Sequence, residues 1–201
     1  MSGLPDLAWD NRKDEIVRLL QQGADVNEQD YNGYTALQFA CEYHHTEITE
    51  ILLKNKKINV NLQNVIGDSP FSSACANNSY ECACLMLQDP RVDINLADDE
   101  GWSPLMEACC RGNTKIVQLL ISFGRNIDIL KKSTEDYGGI QSGSTALDVA
   151  KQLNNTDIVQ LLEQYLKNPK ETQKTLRNEL NLKGKKNKIK NNMKKVKTVM
   201  K

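Results

Sequence analysis

A hydroxyl-bearing residue returns along this chain at a fixed interval. It stands at Thr35, Ser69 and Ser103, at spacings of 34 and 34, and again at Thr145 after 42 residues. A second landmark, an apolar residue flanked by Asp or Asn, recurs at 25–27, 59–61, 93–95 and 126–128. Self-similarity near this period is typical of arrays whose units bury their apolar faces only against neighbouring units. The chain is therefore expected to fold as a stack.

Each unit has the pattern of two short helices. The recurring hydroxyl suits the cap of a first helix, and Pro70 and Pro104 follow it where a helix tolerates proline. Second helices carry apolar residues at i, i+3 and i+4, as at Ile116, Leu119 and Leu120. The two helices are separated by residue types that tolerate a left-handed backbone, namely His44, Asn78, Gly112 and Asn154. The next residue in each unit is suited to capping the second helix, and these are His45, Ser79, Asn113 and Asn155.

These residues resemble the ankyrin repeat family. The matching features are the [ST]-[PA]-L core at 35–37, 103–105 and 145–147, a glycine two residues before each helix-capping position, and Gly-Ala-Asp-Val-Asn at 23–27. The resemblance implies an all-α solenoid of about five helix-turn-helix repeats joined by short β-hairpin-like loops. The family's frequent histidine after this core is replaced, so we expect a weaker hydrogen-bond network between repeats. The replacing residues are Gln38, Ser72, Met106 and Asp148.

The period also sets the expected boundaries. The array spans residues 1–166, with repeats at about 3–29, 30–63, 64–97, 98–130 and 143–166. A polar, glycine-bearing insertion at 131–142 separates the last two repeats. We interpret it as a loop insertion rather than a partner contact, because insertions in repeat arrays collect in connections. Residues 167–201 form a basic tail, partly helical or disordered.

Charge divides the chain in the same way. Residues 1–166 carry 24 acidic and 13 basic side chains, and residues 167–201 carry 13 basic and 2 acidic ones. No run of 18 apolar residues is present, which argues against a membrane span, and the N-terminus does not resemble a secretory signal. The six cysteines are therefore expected to be reduced thiols, in a protein of the cytoplasm, the nucleus or both.

No pattern of residues indicates catalysis. His44 and His45 lie at an inter-helix turn, without further ligands at metal-binding spacing. Cysteines recur every 34 residues at one repeat position, which favours a small buried core residue; they are Cys41, Cys75 and Cys109. Cys84 and Cys110 align with polar residues and are expected to be exposed. We predict a non-enzyme that needs no cofactor and no metal.

The resemblance implies a partner surface at the hairpin tips and on the exposed side of the first helices. Four of the eleven aromatic side chains fall there, and aromatic residues are enriched at binding hot spots. Tyr34 or Trp102 is expected to pack against a neighbouring hairpin instead. We expect a monomer that binds a protein with a basic patch. The candidate residues are Tyr31, Asn32, Tyr34, Glu42, Tyr43, Val65, Ile66, Asp68, Asn77, Asp99, Glu100, Trp102 and Arg111.

The tail leaves several interpretations open. A short helix with Leu176 and Leu180 on one face is expected before Gly184. The remaining segment is interpreted as solvated disorder, a nuclear localisation signal, a non-specific contact to nucleic acid or anionic lipid, or an intramolecular inhibitor. Its electrostatic side chains are Lys183, Lys185, Lys186, Lys188, Lys190, Lys194, Lys195 and Lys197.

Overall fold

The computed structural model describes residues 3–180, and helices dominate that part of the chain. No extended strand occurs between residues 3 and 180, where β pairing is limited to single bridges at Gln29–Thr35 and Tyr137–Ile140. The expected all-α architecture is confirmed. The helices are α1 (Leu4–Trp9), α2 (Lys13–Gln21), α3 (Ala36–Glu42), α4 (Thr46–Lys54), α5 (Pro70–Ala76), α6 (Tyr80–Gln88), α7 (Pro104–Cys110), α8 (Thr114–Phe123), α9 (Ala146–Gln152), α10 (Thr156–Lys167) and α11 (Pro169–Glu179).

The helices form two layers. The first helices α1, α3, α5, α7 and α9 pack side by side in chain order, and the second helices α2, α4, α6, α8 and α10 form the layer behind them. One continuous apolar core runs between the layers. The first helices of the middle repeats have only seven residues, too few for an isolated helix to be stable in water, so packing between repeats maintains them.

The recurring hydroxyls cap the first helices as expected. The side-chain oxygens of Thr35, Ser69 and Ser103 accept hydrogen bonds from backbone N–H groups three residues later, at 3.1, 3.1 and 3.3 Å. Thr145 does the same at 3.4 Å. Because the cap needs only residues within one turn, the sequence pattern was sufficient to locate these helix starts.

The turn between the two helices is left-handed, but the expected cap of the second helix is not formed. His44, Asn78, Gly112 and Asn154 have φ values of 62, 58, 69 and 57°. The residues after them occupy the N-cap position without a capping hydrogen bond. Two of their side chains instead bridge to the preceding repeat. Asn113 Nδ2 donates to the carbonyl of Cys75 at 2.8 Å, and Asn155 Nδ2 to that of Cys109 at 2.7 Å.

Asparagine side chains join consecutive repeats at their ends. Asn61 Nδ2 donates to the Arg91 carbonyl at 2.9 Å, and its Oδ1 accepts from the Asp93 N–H at 2.9 Å. Asn27 and Asn95 make the equivalent pairs of bonds one repeat before and one repeat after. Each amide thus satisfies one donor and one acceptor of its neighbour, which fixes the register of the stack.

Gln38 makes a similar link at the position where the family often has histidine. Its Nε2 donates to the Asp68 carbonyl of the next repeat at 2.6 Å, while its Oε1 accepts from the Thr35 N–H at 2.9 Å. A cross-repeat hydrogen bond is therefore present at this interface. The expected weakening of the network does not apply there.

Arginines bond to the ends of the second helices from one unit further on. Arg91 donates to the Leu53 carbonyl at 2.8 Å, Arg125 to the carbonyl of Asp89, the C-cap of α6, at 3.2 Å, and Arg177 to the Ser122 carbonyl at 2.6 Å. Arg177 belongs to α11, which packs against α8 and α10. Leu176 is buried in this contact and Leu180 is partly buried. The lysines proposed as an electrostatic tail, Lys183 to Lys197, lie outside the described residues.

Candidate functional site

The predicted partner residues divide into exposed, partly covered and buried groups. Tyr31 is 91% exposed, Val65 65% and Ile66 57%. Asn77, Asp99, Arg111 and, at 38%, Tyr43 are also exposed. Partly covered are Asn32, Tyr34, Glu42, Asp68 and Glu100.

Trp102 does not belong to the exposed surface, so its place among the partner residues was wrong, whereas the expectation that Tyr34 or Trp102 packs against a neighbouring loop is met by Trp102. Its side chain is 1% exposed. The ring of Tyr137, from the insertion, packs edge-on against it with the ring centroids 5.1 Å apart. Tyr34 also packs on its own unit, stacking on Phe39 with centroids 5.0 Å apart. The insertion therefore supplies part of the cover over Trp102.

The hairpin tips stand in a hydrogen-bonded row. Within each tip, a side-chain oxygen of Asp30, Asn64 or Asp98 accepts from two backbone N–H groups of the turn. Between tips, the Val65 N–H donates to the Asn32 carbonyl at 3.0 Å. Close stacking requires glycine at Gly67, because φ is +83° and a Cβ there would lie 2.5 Å from the Asp99 nitrogen. The tip side chains are thus held at fixed positions.

Carboxylates converge beside the tips, along the first-helix layer. Burial is the main cause that raises the pKa of Glu42, Asp68 and Asp98, and it raises that of Glu107 to about 7. Repulsion between them adds to the effect, since the charge of Asp68 raises the pKa of Glu42, Asp98 and Glu107. Glu100 raises the pKa of Asp68 and Glu107, and Arg111 lowers both. We call Glu42, Asp68, Asp98, Glu100 and Glu107 the acidic row.

Two members of this surface were missed by the sequence reasoning. Glu107 was not among the predicted residues, and neither was Trp9, which is 54% exposed and touches Tyr43 with ring centroids 5.2 Å apart. The repeat register contained the signal for Trp9, because Trp9, Tyr43, Asn77 and Arg111 follow one another at intervals of 34.

The cysteines belong mainly to the core. Cys41, Cys75 and Cys109 are fully buried, as expected, but Cys84 is 8% exposed and its predicted exposure was wrong. Cys110 is partly covered. A hydrogen bond from Cys41, helped by one from Thr49 at 3.4 Å, lowers the pKa of the Cys82 thiol to about 6 despite burial. Cys82 itself is 0% exposed, so this thiol has no path to solvent.

A groove of about 710 Å³ lies on the other layer of the array, at the ends of the second helices. Leu53, Leu85, Leu87 and Phe123 supply its apolar wall. No cluster of possible metal ligands occurs among residues 3–180, and no helix in that range is long and apolar enough to cross a membrane.

The comparisons with known proteins agree with this architecture. A family model described as ankyrin repeats (3 copies) matches residues 6–98 and 74–173. The chain is also similar to the probable E3 ubiquitin-protein ligase XBOS33 of Oryza sativa subsp. japonica, with 48% identity over 40 residues. That match covers 20% of this chain and 8% of the rice protein, so this chain spans a small part of that relative's length.

Proposed function

Since this chain belongs to the ankyrin repeat family, we propose that it is a non-catalytic module that binds a protein partner bearing basic side chains. Ankyrin repeats in general mediate protein–protein interaction. The same fold carries many unrelated interactions, so the particular surface has to supply the specificity. The rice ligase shares one short stretch with this chain, and its activity is not carried over.

The acidic row is the observation that carries the proposal. The raised pKa values of these carboxyl groups mean that burial and mutual repulsion both disfavour their ionised form. Keeping them together in the ionised form therefore costs folding stability. A lysine or arginine from a partner would relieve that repulsion and replace lost hydration with an ion pair. Such complementarity mainly favours the correct partner and speeds encounter, and it weakens as salt concentration rises.

The hairpin tips add an apolar component. Tyr31, Val65 and Ile66 expose their side chains on neighbouring tips whose backbones are joined by the Val65–Asn32 hydrogen bond. Large apolar side chains on a fixed backbone offer contact area with little ordering cost on binding. We therefore infer that the partner segment has basic residues over the acidic row and apolar residues over the tips.

The test is affinity capture with two matched variants. Glu100→Gln with Glu107→Gln replaces two ionisable carboxyl groups of the acidic row, and Glu81→Gln with Asp157→Asn replaces two exposed carboxyl groups of the second helices. We expect the first pair to weaken the affinity for a captured partner at least about tenfold, with loss of salt dependence, and the second pair to change it little. Equal capture by both variants contradicts the proposal.

The basic tail supports a second candidate, binding of nucleic acid or anionic lipid. Its charge is opposite to that of the array. The full chain and a chain ending at residue 180 are compared for binding to random-sequence RNA and to phosphatidylserine vesicles. Binding that depends on residues 181–201 and falls steeply with salt favours this candidate. Stronger capture of a protein partner after truncation favours an inhibitory tail instead.

We further propose that the protein acts in the cytoplasm, the nucleus or both, as a monomer. Six thiols without a disulfide among the described residues fit a reducing compartment. Fluorescence microscopy of the tagged full chain tests the location, and analytical ultracentrifugation tests the monomeric state.

A further inference from the structure

Four aromatic rings gather where the first two repeats meet. Phe39 lies at the base, only 6% exposed, and the rings of Trp9, Tyr34 and Tyr43 surround it with centroids 5.1, 5.0 and 6.3 Å away. Trp9 and Tyr43 also touch each other and are 54% and 38% exposed. We call these four residues the aromatic patch. Its inner side packs the array together, while two of its rings face outward.

The patch is fixed in place before any partner arrives. Trp9 ends α1 and Tyr43 follows α3, two helices that pack directly against each other. The Trp9 carbonyl lies 3.4 Å from His45 Nε2, which ties the end of α1 to the next inter-helix turn. Rings held in this way lose little freedom when a ligand covers them.

A carboxylate accompanies the patch. Burial raises the pKa of Glu42, a hydrogen bond with Tyr43 opposes this rise, and the charge of Asp68 adds to it. Burial raises the pKa of both Tyr34 and Tyr43, and the charge of Glu42 adds to both rises, so this charge acts on both phenol groups. Glu42 is half-buried and forms no salt bridge with another residue between 3 and 180. The site therefore combines partly exposed aromatic rings with a carboxylate that has no ion-pair partner in the described part of the chain.

We propose that the aromatic patch and Glu42 bind an arginine side chain of the partner, with the guanidinium stacked on Trp9 and Tyr43 and paired with Glu42. This inference rests on the proposed function and names the residue that the partner places at one end of the acidic row. Arginine fits better than lysine because its planar group stacks on rings, pairs with a carboxylate through a fork of donors, and is weakly hydrated.

The first experiment uses the two tryptophans of the full chain as reporters. The indole N–H signals of Trp9 and Trp102 are followed by NMR during titration with an acetylated, amidated Gly-Arg-Gly-Arg-Gly-Arg-Gly peptide. We expect a saturable shift for exposed Trp9 and none for buried Trp102. The matched lysine peptide should bind several-fold more weakly, and the uncharged citrulline peptide should not shift Trp9. An unmoved Trp9, or equal binding of arginine and citrulline peptides, overturns the inference.

The second experiment uses variants and fluorescence anisotropy of the labelled arginine peptide. Trp9→Leu keeps an apolar side chain on Phe39, and Glu42→Gln keeps the shape of the carboxylate. Each should lose roughly tenfold in affinity, the size expected for a partly desolvated cation–π contact or ion pair. Leu130→Ala, which removes an exposed apolar side chain that belongs neither to the patch nor to the tips named above, should retain affinity. An unchanged Trp102 signal verifies folding, and full affinity in Trp9→Leu overturns the inference.

The two proposals can fail separately. If partner capture needs Glu100 and Glu107 but the arginine peptide leaves Trp9 unmoved, the arginine site is wrong and the proposed function stands. If the peptide shifts Trp9 but capture is insensitive to Glu100 and Glu107, the arginine site stands and the role of the acidic row is wrong.

Discussion

At the residue scale, the protonation state of a single carboxyl group affects how stable the folded chain is. Glu107 lies in the first-helix layer with its pKa raised to about 7, first by burial and then by Asp68, Asp98 and Glu100. Its ordinary value is 4.5. At pH values between 4.5 and about 7, Glu107 stays protonated in the folded chain but is ionised in the unfolded chain. The free energy of unfolding therefore decreases as pH rises through this range. The burial of Glu107 among other carboxylates is therefore destabilising near neutral pH.

Replacing Glu107 with glutamine tests this directly. Since one pKa unit corresponds to about 1.4 kcal/mol, we expect Glu107→Gln to raise the free energy of unfolding by on the order of 1–3 kcal/mol at pH 8. The gain should shrink as pH falls towards 5, where the folded protein already holds the proton. Urea denaturation across this pH range measures it. Glu81→Gln, an exposed control, should show no such trend, and a pH-independent gain contradicts the explanation.

At the scale of elements, the insertion acts as a cover for the fourth repeat. The Ser133 N–H donates to the Ser144 carbonyl, and the Thr134 N–H to the Glu100 carbonyl at 2.9 Å, which continues the row of hairpin tips. Ile140 is 4% exposed. Tyr137 closes over Trp102. An interpretation of this segment as a tolerated loop thus misses its packing role.

Removal of the Tyr137 ring should uncover Trp102. In a Trp9→Phe background, Tyr137→Ala is expected to shift Trp102 emission to longer wavelength, to increase quenching by acrylamide, and to cost about 0.5–1.5 kcal/mol of stability from the ring pair. Leu130→Ala, which alters a side chain 65% exposed near the same insertion, is the control. Identical quenching in both variants means that the insertion does not cover Trp102.

At the scale of the whole molecule, α11 ends the described stack. It lies outside the repeat pattern, yet Arg177 bonds to the Ser122 carbonyl as Arg91 and Arg125 bond to the ends of earlier second helices. Leu176 is 4% exposed against this layer. In repeat arrays the terminal unit needs a cover for its neighbour's apolar face. The helix α11 supplies that cover for α8 and α10.

A comparison of two truncations tests the cover. We expect a chain ending at residue 166 to be less stable than one ending at 180, with faster amide hydrogen exchange in α8. Arg177→Ala in the longer chain should reproduce part of the loss, about 1–3 kcal/mol for an unsatisfied partner in a charged hydrogen bond. Lys174→Ala, at a surface ion pair on the same helix, should be near neutral. Equal stability of the two truncations contradicts this role of α11.

The sequence by itself determined the repeat period, the capped starts of the first helices and the left-handed turns. Thr35, Ser69 and His44 act through neighbours within one turn of chain, and such local interactions leave a readable spacing. The exposed tip residues Tyr31 and Val65 also followed from the register, since each repeat places equivalent positions alike.

Only the tertiary structure decided which positions on this surface are covered and which charges meet. Trp102 is buried by Tyr137, a residue in the segment that breaks the period. The pKa of Glu107 is raised by burial, by Asp68 of the preceding repeat, and by Asp98 and Glu100 of its own repeat. The helix α11 is joined to α8 by the hydrogen bond from Arg177 to the Ser122 carbonyl. These contacts join residues far apart in the chain, and no spacing within a single repeat encodes them.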